Sequence, residues 1–127
     1  MNPEAVVRRQ LDAYNARDLQ RFLAEYGDDI RAYRPPSAEP VLAGKKAFGE
    51  FYATQRFNRA GLHAVLLNRM VLGRNVIDHE RISGVGEQPF EVAVAYEVAD
   101  GLIRRTWSFA ASWPAMPWPQ GRDGDPA

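Results

Sequence analysis

Residues Phe90 to Phe109 read FEVAVAYEVADGLIRRTWSF, and the alternation in this run decides the fold class. Phe90, Val92, Val94, Tyr96 and Val98 fall on one side of a strand, and Glu91, Ala93, Ala95 and Glu97 on the other. One face is bulky and apolar. The other is small in the middle and charged at its ends, which suits solvent or the close approach of a second subunit's sheet. Asp100-Gly101 is a two-residue hairpin signal, beyond which Ile103, Arg105, Trp107 and Phe109 alternate with Leu102, Arg104, Thr106 and Ser108. A period of two that survives a tight turn predicts two antiparallel strands.

Working outward, the same period holds back to residue 62. It predicts four strands, at about 62–72, 75–85, 89–98 and 102–110, joined by Gly73-Arg74, Val85 to Gln88 and Asp100-Gly101 into an antiparallel meander. Before residue 62 the period is near four. Asn2 is a candidate N-cap for a helix in which Val6, Val7, Leu11 and Tyr14 share a side, ending near Ala16. Asp18 caps a second, short helix carrying Leu19, Phe22, Leu23 and Tyr26, with Gly27 as its stop. A first strand follows, with Ile30, Ala32 and Arg34 on one side and Arg31 and Tyr33 on the other, until Pro35-Pro36. Residues 35–43 read as a loop. A third helix opens at Gly44, with Ala47, Phe48, Phe51 and Tyr52 on one stripe, and closes over Asn58 to Gly61. We therefore expect one domain over residues 1–112 and a Pro/Trp-rich C-terminal tail over 113–127. Trp113, Met116 and Trp118 in that tail are apolar enough to pack on the body or across a subunit boundary.

The chain has 127 residues, enough for one core, and its 16 Lys and Arg balance 16 Asp and Glu. That balance argues against nucleic acid or a membrane surface as partner and for a small apolar organic molecule. There is no cysteine, so disulfides, thiolate metal sites and a Cys nucleophile are excluded. Two histidines offer too few ligands for a metal, and no cofactor is called for. The opening MNPEAVVRRQ lacks the pattern of a signal peptide and no run is long and apolar enough for a membrane helix, so a soluble, cytoplasmic protein is expected.

Chemistry concentrates in NVIDHERIS, Asn75 to Ser83. Ile77, His79, Arg81 and Ser83 share one face of that strand, and Val76, Asp78, Glu80 and Ile82 the other. His79 is the candidate acid or base, because imidazole both takes and gives a proton near neutral pH. Arg81 beside it would stabilise an oxyanion and disfavour the imidazolium. The alternatives are a structural imidazole and an Arg paired with a strand neighbour. Asp78 and Glu80 face away from His79 and read as solvated or interface ion pairs with Arg69, Arg104 or Arg105. Tyr14, Tyr33, Tyr52, Tyr96 and Trp107 are the candidate pocket residues, rings that bear polar handles.

The order of elements, with Tyr14-Asn15-Ala16-Arg17-Asp18-Leu19, Tyr26-Gly27-Asp28-Asp29, Gly44 with Phe51-Tyr52, and Tyr96 to Arg104 with Trp107, resembles the nuclear transport factor 2-like superfamily over residues 4–110. The similarity is to the SnoaL-like and ketosteroid isomerase-like branch. It implies a cone-shaped, cystatin-like α+β fold, with three N-terminal helices packed on a curved, mostly antiparallel sheet around an apolar pocket, and a homodimer formed through the sheet. Ketosteroid isomerase's catalytic positions fall on Gln10, Arg34 and about Val94, so that set is not retained; its supporting tyrosine is kept as Tyr52. Limonene epoxide hydrolase's arginine falls on Arg81, while Ser83 stands at its first carboxylate and Ser108 or a neighbour at its second. The same comparison implies that the His79 and Arg81 face looks into the cone. Two functions follow as expectations. One is cofactor-free acid-base chemistry, an isomerisation, cyclisation or dehydration, on an apolar substrate. The other is a non-catalytic ligand-binding or dimeric scaffold domain.

Overall fold

The computed structural model describes residues 2–114. Its first helix, α1 (Pro3–Asn15), starts as the sequence predicts: the Asn2 side chain accepts from the Glu4 and Ala5 amides at 2.9 and 3.4 Å, two of the donors a helix start leaves unpaired. A second helix, α2 (Leu19–Leu23), is capped by Asp18, which accepts from the Arg21 amide at 3.1 Å. Five residues cannot hold a helix by themselves, so α2 depends on packing. Phe22, 1% exposed, supplies it, with ring centroids 4.9, 6.0, 4.8 and 5.1 Å from those of Tyr26, Phe48, Tyr52 and Phe57.

The sheet begins with β1 (Tyr26–Tyr33) and continues through β2 (Pro40–Ala43); after α3 (Lys45–Gln55) come β3 (His63–Leu72), β4 (Asn75–Ser83), β5 (Phe90–Ala99) and β6 (Leu102–Phe109). These six strands form one sheet in the order β2-β1-β6-β5-β4-β3. All neighbours are antiparallel except β1 and β6, so the architecture is α+β with a mostly antiparallel sheet. The hairpin between β5 and β6 turns on Asp100 and Gly101, both left-handed with φ of 54° and 77°, the twist a two-residue connection needs. Among the described residues no helix is long and apolar enough to cross a membrane.

Two expectations need correcting. Residues 35–43 are not all loop, because Pro40 to Ala43 pair with β1 at Arg31↔Ala43, Ala32↔Leu42 and Tyr33↔Pro40. Pro40 is tolerated as the first residue of an edge strand, where its missing N–H leaves no ladder bond open. Gly27 does not end α2; it and Tyr26 belong to β1. A side chain at Gly27 would run into the guanidinium of Arg104, which crosses the strand there to reach Asp29 at 3.0 Å.

β3 carries one residue more than β4 needs. The register runs Leu66↔Glu80 and then Asn68↔His79, so Leu67 is a bulge and Arg69 comes to stand opposite Asp78. Helix α1 is tied to this strand by Asn15, whose side-chain amide donates to the Ala64 carbonyl at 2.9 Å and accepts from the Ala64 amide at 2.8 Å. One side chain thus takes the place of a strand neighbour. Beyond β6 the chain folds back, with Trp113 lying over the Arg34 guanidinium at 3.8 Å and near Phe90 at 6.1 Å. Met116 and Trp118 lie outside the described residues.

Because the Asn15 amide satisfies both backbone groups of Ala64, Asn15→Ala leaves a donor and an acceptor unpaired next to the core. A loss of about 1–3 kcal/mol is expected, measured as a lower urea midpoint with unchanged slope.

Candidate active site

Side chains from the inner sheet face, α1, α2, α3 and the Trp113 segment line a partly open cavity of about 100 Å³. One water needs roughly 10–15 Å³ by that measure, so the space takes several waters or one small ring. Its walls are mostly aromatic and aliphatic, and the charged groups among its described lining are Arg34, Arg56 and Glu80. Tyr14, Tyr33, Tyr52 and Tyr96 all contribute to it, as does Gln10 from α1.

The parity of β4 is the reverse of the expected one. Val76, Asp78, Glu80 and Ile82 are buried, whereas His79 and Arg81 are exposed on the opposite face and do not line the cavity. His79 Nε2 lies 2.7 Å from Glu91 Oε1 across the sheet, both side chains about half exposed. The buried face has two β-branched residues against Ile77 alone on the other. Its acids are short and one of them meets a buried partner, while His79 and the long Arg81 reach solvent at no desolvation cost. Trp107 is likewise outside the cavity. It pairs with Ala95 on the outer face and stacks on Tyr33, ring centroids 5.8 Å apart.

Of the three arginines offered as solvated or interface partners for Asp78 and Glu80, Arg69 is the one that meets Asp78, and the pair is buried. Asp78 is 0% exposed and accepts two bonds from Arg69, Nε to Oδ1 at 2.7 Å and Nη2 to Oδ2 at 2.9 Å. Arg69 also reaches Glu4 of α1 at 3.7 Å. Glu80, 4% exposed, is two residues along the same face, and its Oε2 has no hydrogen-bond partner among the described residues. Its pKa is raised to about 8. Burial is the main cause, followed by the negative charge of Asp78 and a hydrogen bond to that carboxylate, with Arg69 acting in the opposite direction.

A polar thread crosses the floor of the cavity. Tyr26 Oη donates to Gln10 Oε1 at 2.9 Å, and Gln10 Nε2 donates to Tyr96 Oη at 3.2 Å. These bonds do not use the Tyr96 proton. Burial, then the Tyr52 charge at Tyr26 and the Glu80 charge at Tyr96, push both phenols well above their ordinary pKa, so both stay O–H donors. Gln10, Arg34 and Val94, the three positions aligned with ketosteroid isomerase's catalytic set, all line this cavity. Arg34 keeps the side it was expected to share with Ile30 and Ala32, but it was not among the candidate pocket residues. Glu80 and Arg56 were missed, the first through the parity of β4 and the second for want of any pattern beyond the end of α3. Among the described residues no three His, Asp or Glu side chains converge as metal ligands would.

A curved sheet with helices closing one face over a polar-threaded cavity is the cystatin-like arrangement of the nuclear transport factor 2-like superfamily. Within it, the chain belongs to the SnoaL-like domain family, whose sequence profile matches residues 7–106. Solved structures share the fold. A candidate ketosteroid isomerase from Kribbella flavida is 21% identical over 91% of this chain and 82% of its own, with a TM-score of 0.76. A cystatin-fold protein from Novosphingobium aromaticivorans is 19% identical over 85% and 97%, with a TM-score of 0.76. An epoxide hydrolase of the limonene epoxide hydrolase-like type from Mycobacterium tuberculosis is 19% identical over 85% and 81%, with a TM-score of 0.70. No curated protein matches the chain.

The state of Glu80 has a consequence for stability. Below about pH 4.5 both folded and unfolded chains hold this proton; between there and about 8 only the folded chain does. The Glu80 contribution is therefore complete at the acid end and falls away as pH rises through this window. Glu80→Gln should remove that part of the slope and stabilise the protein at pH 8 to 9 by a few kcal/mol, read from urea midpoints of both proteins across pH.

Proposed function

We propose that the protein is a cofactor-free acid-base enzyme acting on a small, largely apolar carbonyl compound, with Glu80 and not His79 as the proton carrier. The observation that carries this is a buried carboxyl group with one oxygen unbonded among the described residues, on the wall of a largely apolar cavity, holding its proton to about pH 8. A carboxylic acid kept neutral at physiological pH is a hydrogen-bond donor and a proton source, a use of burial known in isomerase sites. The Tyr96 hydroxyl is a second donor on the same inner face of the sheet.

In this reading a substrate carbonyl accepts from Tyr96 and from protonated Glu80, whose O–H turns from the Asp78 carboxylate to the substrate. Glu80 gives its proton to the oxygen as the carbonyl π electrons move onto it, and the resulting carboxylate takes a proton from the adjacent carbon. The C–H electrons become the C=C bond of an enol, and Glu80 is again protonated. Isomerisation follows if the enol is reprotonated at a remote carbon, dehydration if a β-hydroxyl leaves as water, and cyclisation if the enol carbon attacks a second carbonyl. Asp78 keeps the acid from ionising early, and Arg69 keeps Asp78 in place. The names of the two enzyme-like neighbours, an isomerase and an epoxide hydrolase, are compatible with proton transfer in such a cavity.

The test is exchange of α-hydrogens into deuterated solvent, followed by NMR over a panel of cyclic ketones and keto acids. The wild-type protein should accelerate exchange, with a rate that declines as pH rises through about 8, where Glu80 loses its proton. Glu80→Gln should lower it by about 10²–10⁴-fold, and His79→Ala should leave it unchanged. A folded Glu80→Gln protein that exchanges at the wild-type rate removes the proposal.

The homodimer through the sheet belongs to the same reading. Its support is the outer face, where Met70, Ile77, Ala95 and Trp107 stand in one row across four strands, and Val65, Met70 and Phe109 are 39, 52 and 49% exposed. Sedimentation should give a dimer that Met70→Glu converts to monomer without changing the circular dichroism spectrum; a monomeric wild type at micromolar concentration would rule it out.

A further inference from the structure

We propose that Gln10 is a positioning residue of the cavity: its side-chain amide fixes the direction of the hydrogen-bond chain that runs from Tyr26 through Gln10 to Tyr96, so that Tyr96 turns its proton to the cavity and selects ligands by an oxygen that accepts it. This rests on reading the cavity as the active site, and adds to it the residue that sets the Tyr96 donor.

The argument starts from what each atom can do. A side-chain amide has an oxygen that accepts and a nitrogen that donates, and neither takes the other's part. Tyr26 Oη stands 2.9 Å from Gln10 Oε1, so Tyr26 gives its proton there. Gln10 Nε2 stands 3.2 Å from Tyr96 Oη, so the Tyr96 oxygen accepts and its own proton is left over. The two lengths fit this direction, because O–H···O bonds are the shorter kind and N–H···O bonds the longer. With the amide turned over, Tyr96 would give its proton to Gln10 and Tyr26 would hold the spare one. Gln10 therefore decides which phenol has a hydrogen to offer.

That phenol is Tyr96. Among the described residues its hydroxyl takes part in the Gln10 bond alone, and its side chain lines the cavity. Tyr26, Gln10 and Tyr96 are 2, 3 and 5% exposed, so bulk water competes little for these bonds. In such a place each bond polarises the next, and an oxygen that accepts from Gln10 makes the Tyr96 O–H a better donor. A carboxylate at position 10 would accept from both phenols and take up the Tyr96 proton. An aliphatic side chain there would let the hydroxyl rotate. The amide does neither.

The consequence for a ligand is one of sense. Tyr96 offers a proton and takes none, so the atom placed against it is an acceptor, such as a ketone oxygen. A ring of the same shape without that oxygen leaves the O–H unpaired, which is the costly arrangement.

The probes are cyclohexanone and methylenecyclohexane, in which a =CH₂ group replaces =O, titrated at pH 7 into the full-length protein and followed by NMR. The ratio of their affinities, ketone over alkene, isolates bonding at the oxygen from burial of the ring. Tyr96→Phe should lower this ratio about tenfold and Gln10→Met about fivefold, with the alkene affinity within about twofold of wild type in both. The double variant should match Tyr96→Phe within about twofold, because Gln10 acts through Tyr96. An unchanged ratio in Gln10→Met, or a double variant whose loss is the product of the single losses, would overturn the inference, as would no binding of either probe in the millimolar range. The wild type gives a readout that needs no variant: nuclear Overhauser effects should place the Gln10 Hε2 protons nearer the Tyr96 ring than the Tyr26 ring, and the opposite order also overturns it. Hydrogen exchange in Glu80→Gln separates this from the catalytic reading. If Gln10→Met lowers the ratio and Glu80→Gln exchanges at the wild-type rate, only the catalytic reading falls. If Glu80→Gln loses exchange and Gln10→Met keeps the wild-type ratio, only the Gln10 claim falls. Both losses together support both.

Discussion

The buried bond between Arg69 and Asp78 is the constraint from which the site follows. It is an ion pair inside a sheet, where two charges have left water and only their geometry repays the loss. That geometry exists because β3 takes in one extra residue at Leu67, which turns Arg69 to the inner face opposite Asp78. Without the bulge, Asn68 would oppose Asp78, and Arg69 would point to the other side. The acid would then lack its cation, and β4 would have little reason to present its acidic face to the core. One inserted residue in a neighbouring strand thus decides which half of β4 is inside.

Glu80 is the consequence. A strand that buries Asp78 also buries the residue two places on, because side chains alternate strictly along a regular ladder. Asp78 receives both Arg69 bonds and Glu80 receives neither, so of the two acids only one is compensated as an ion. The other keeps its proton. The pair therefore divides the roles that a single carboxylate cannot combine, one anchored as a structural ion and the other left neutral against the cavity.

The same physics sets what was legible in the sequence. Period two from residue 62 onward identified the meander, and Asp100-Gly101 identified its last turn, because both signals are local. Asn2 and Asp18 announced their helices for the same reason. β2 was hidden by proline, which reads as a breaker unless the strand is known to begin there on an edge. The cavity tyrosines were found because large rings on the apolar sides of helices and strands have few other places to go. The faces of β4 were not legible: Val76 and Ile82 stand against Ile77, with two titratable groups on each side, and the deciding facts lie in β3. The comparison with limonene epoxide hydrolase pointed to Arg81, and the residue inside is its neighbour Glu80.

That result bears on how the cavity and the outer face share the labour of the sheet. Polar side chains His79, Arg81, Glu91 and Glu97 stand on the outer face, where His79 and Glu91 find each other while both stay about half exposed. The inner face keeps groups whose polar ends can be satisfied within the protein. Gln10 bridges two phenols, Asp78 holds Arg69, and Arg34 lies under Trp113. Glu80 Oε2 has no hydrogen-bond partner among the described residues, and a buried acid oxygen left so costs stability, the same burial that holds the proton on Glu80.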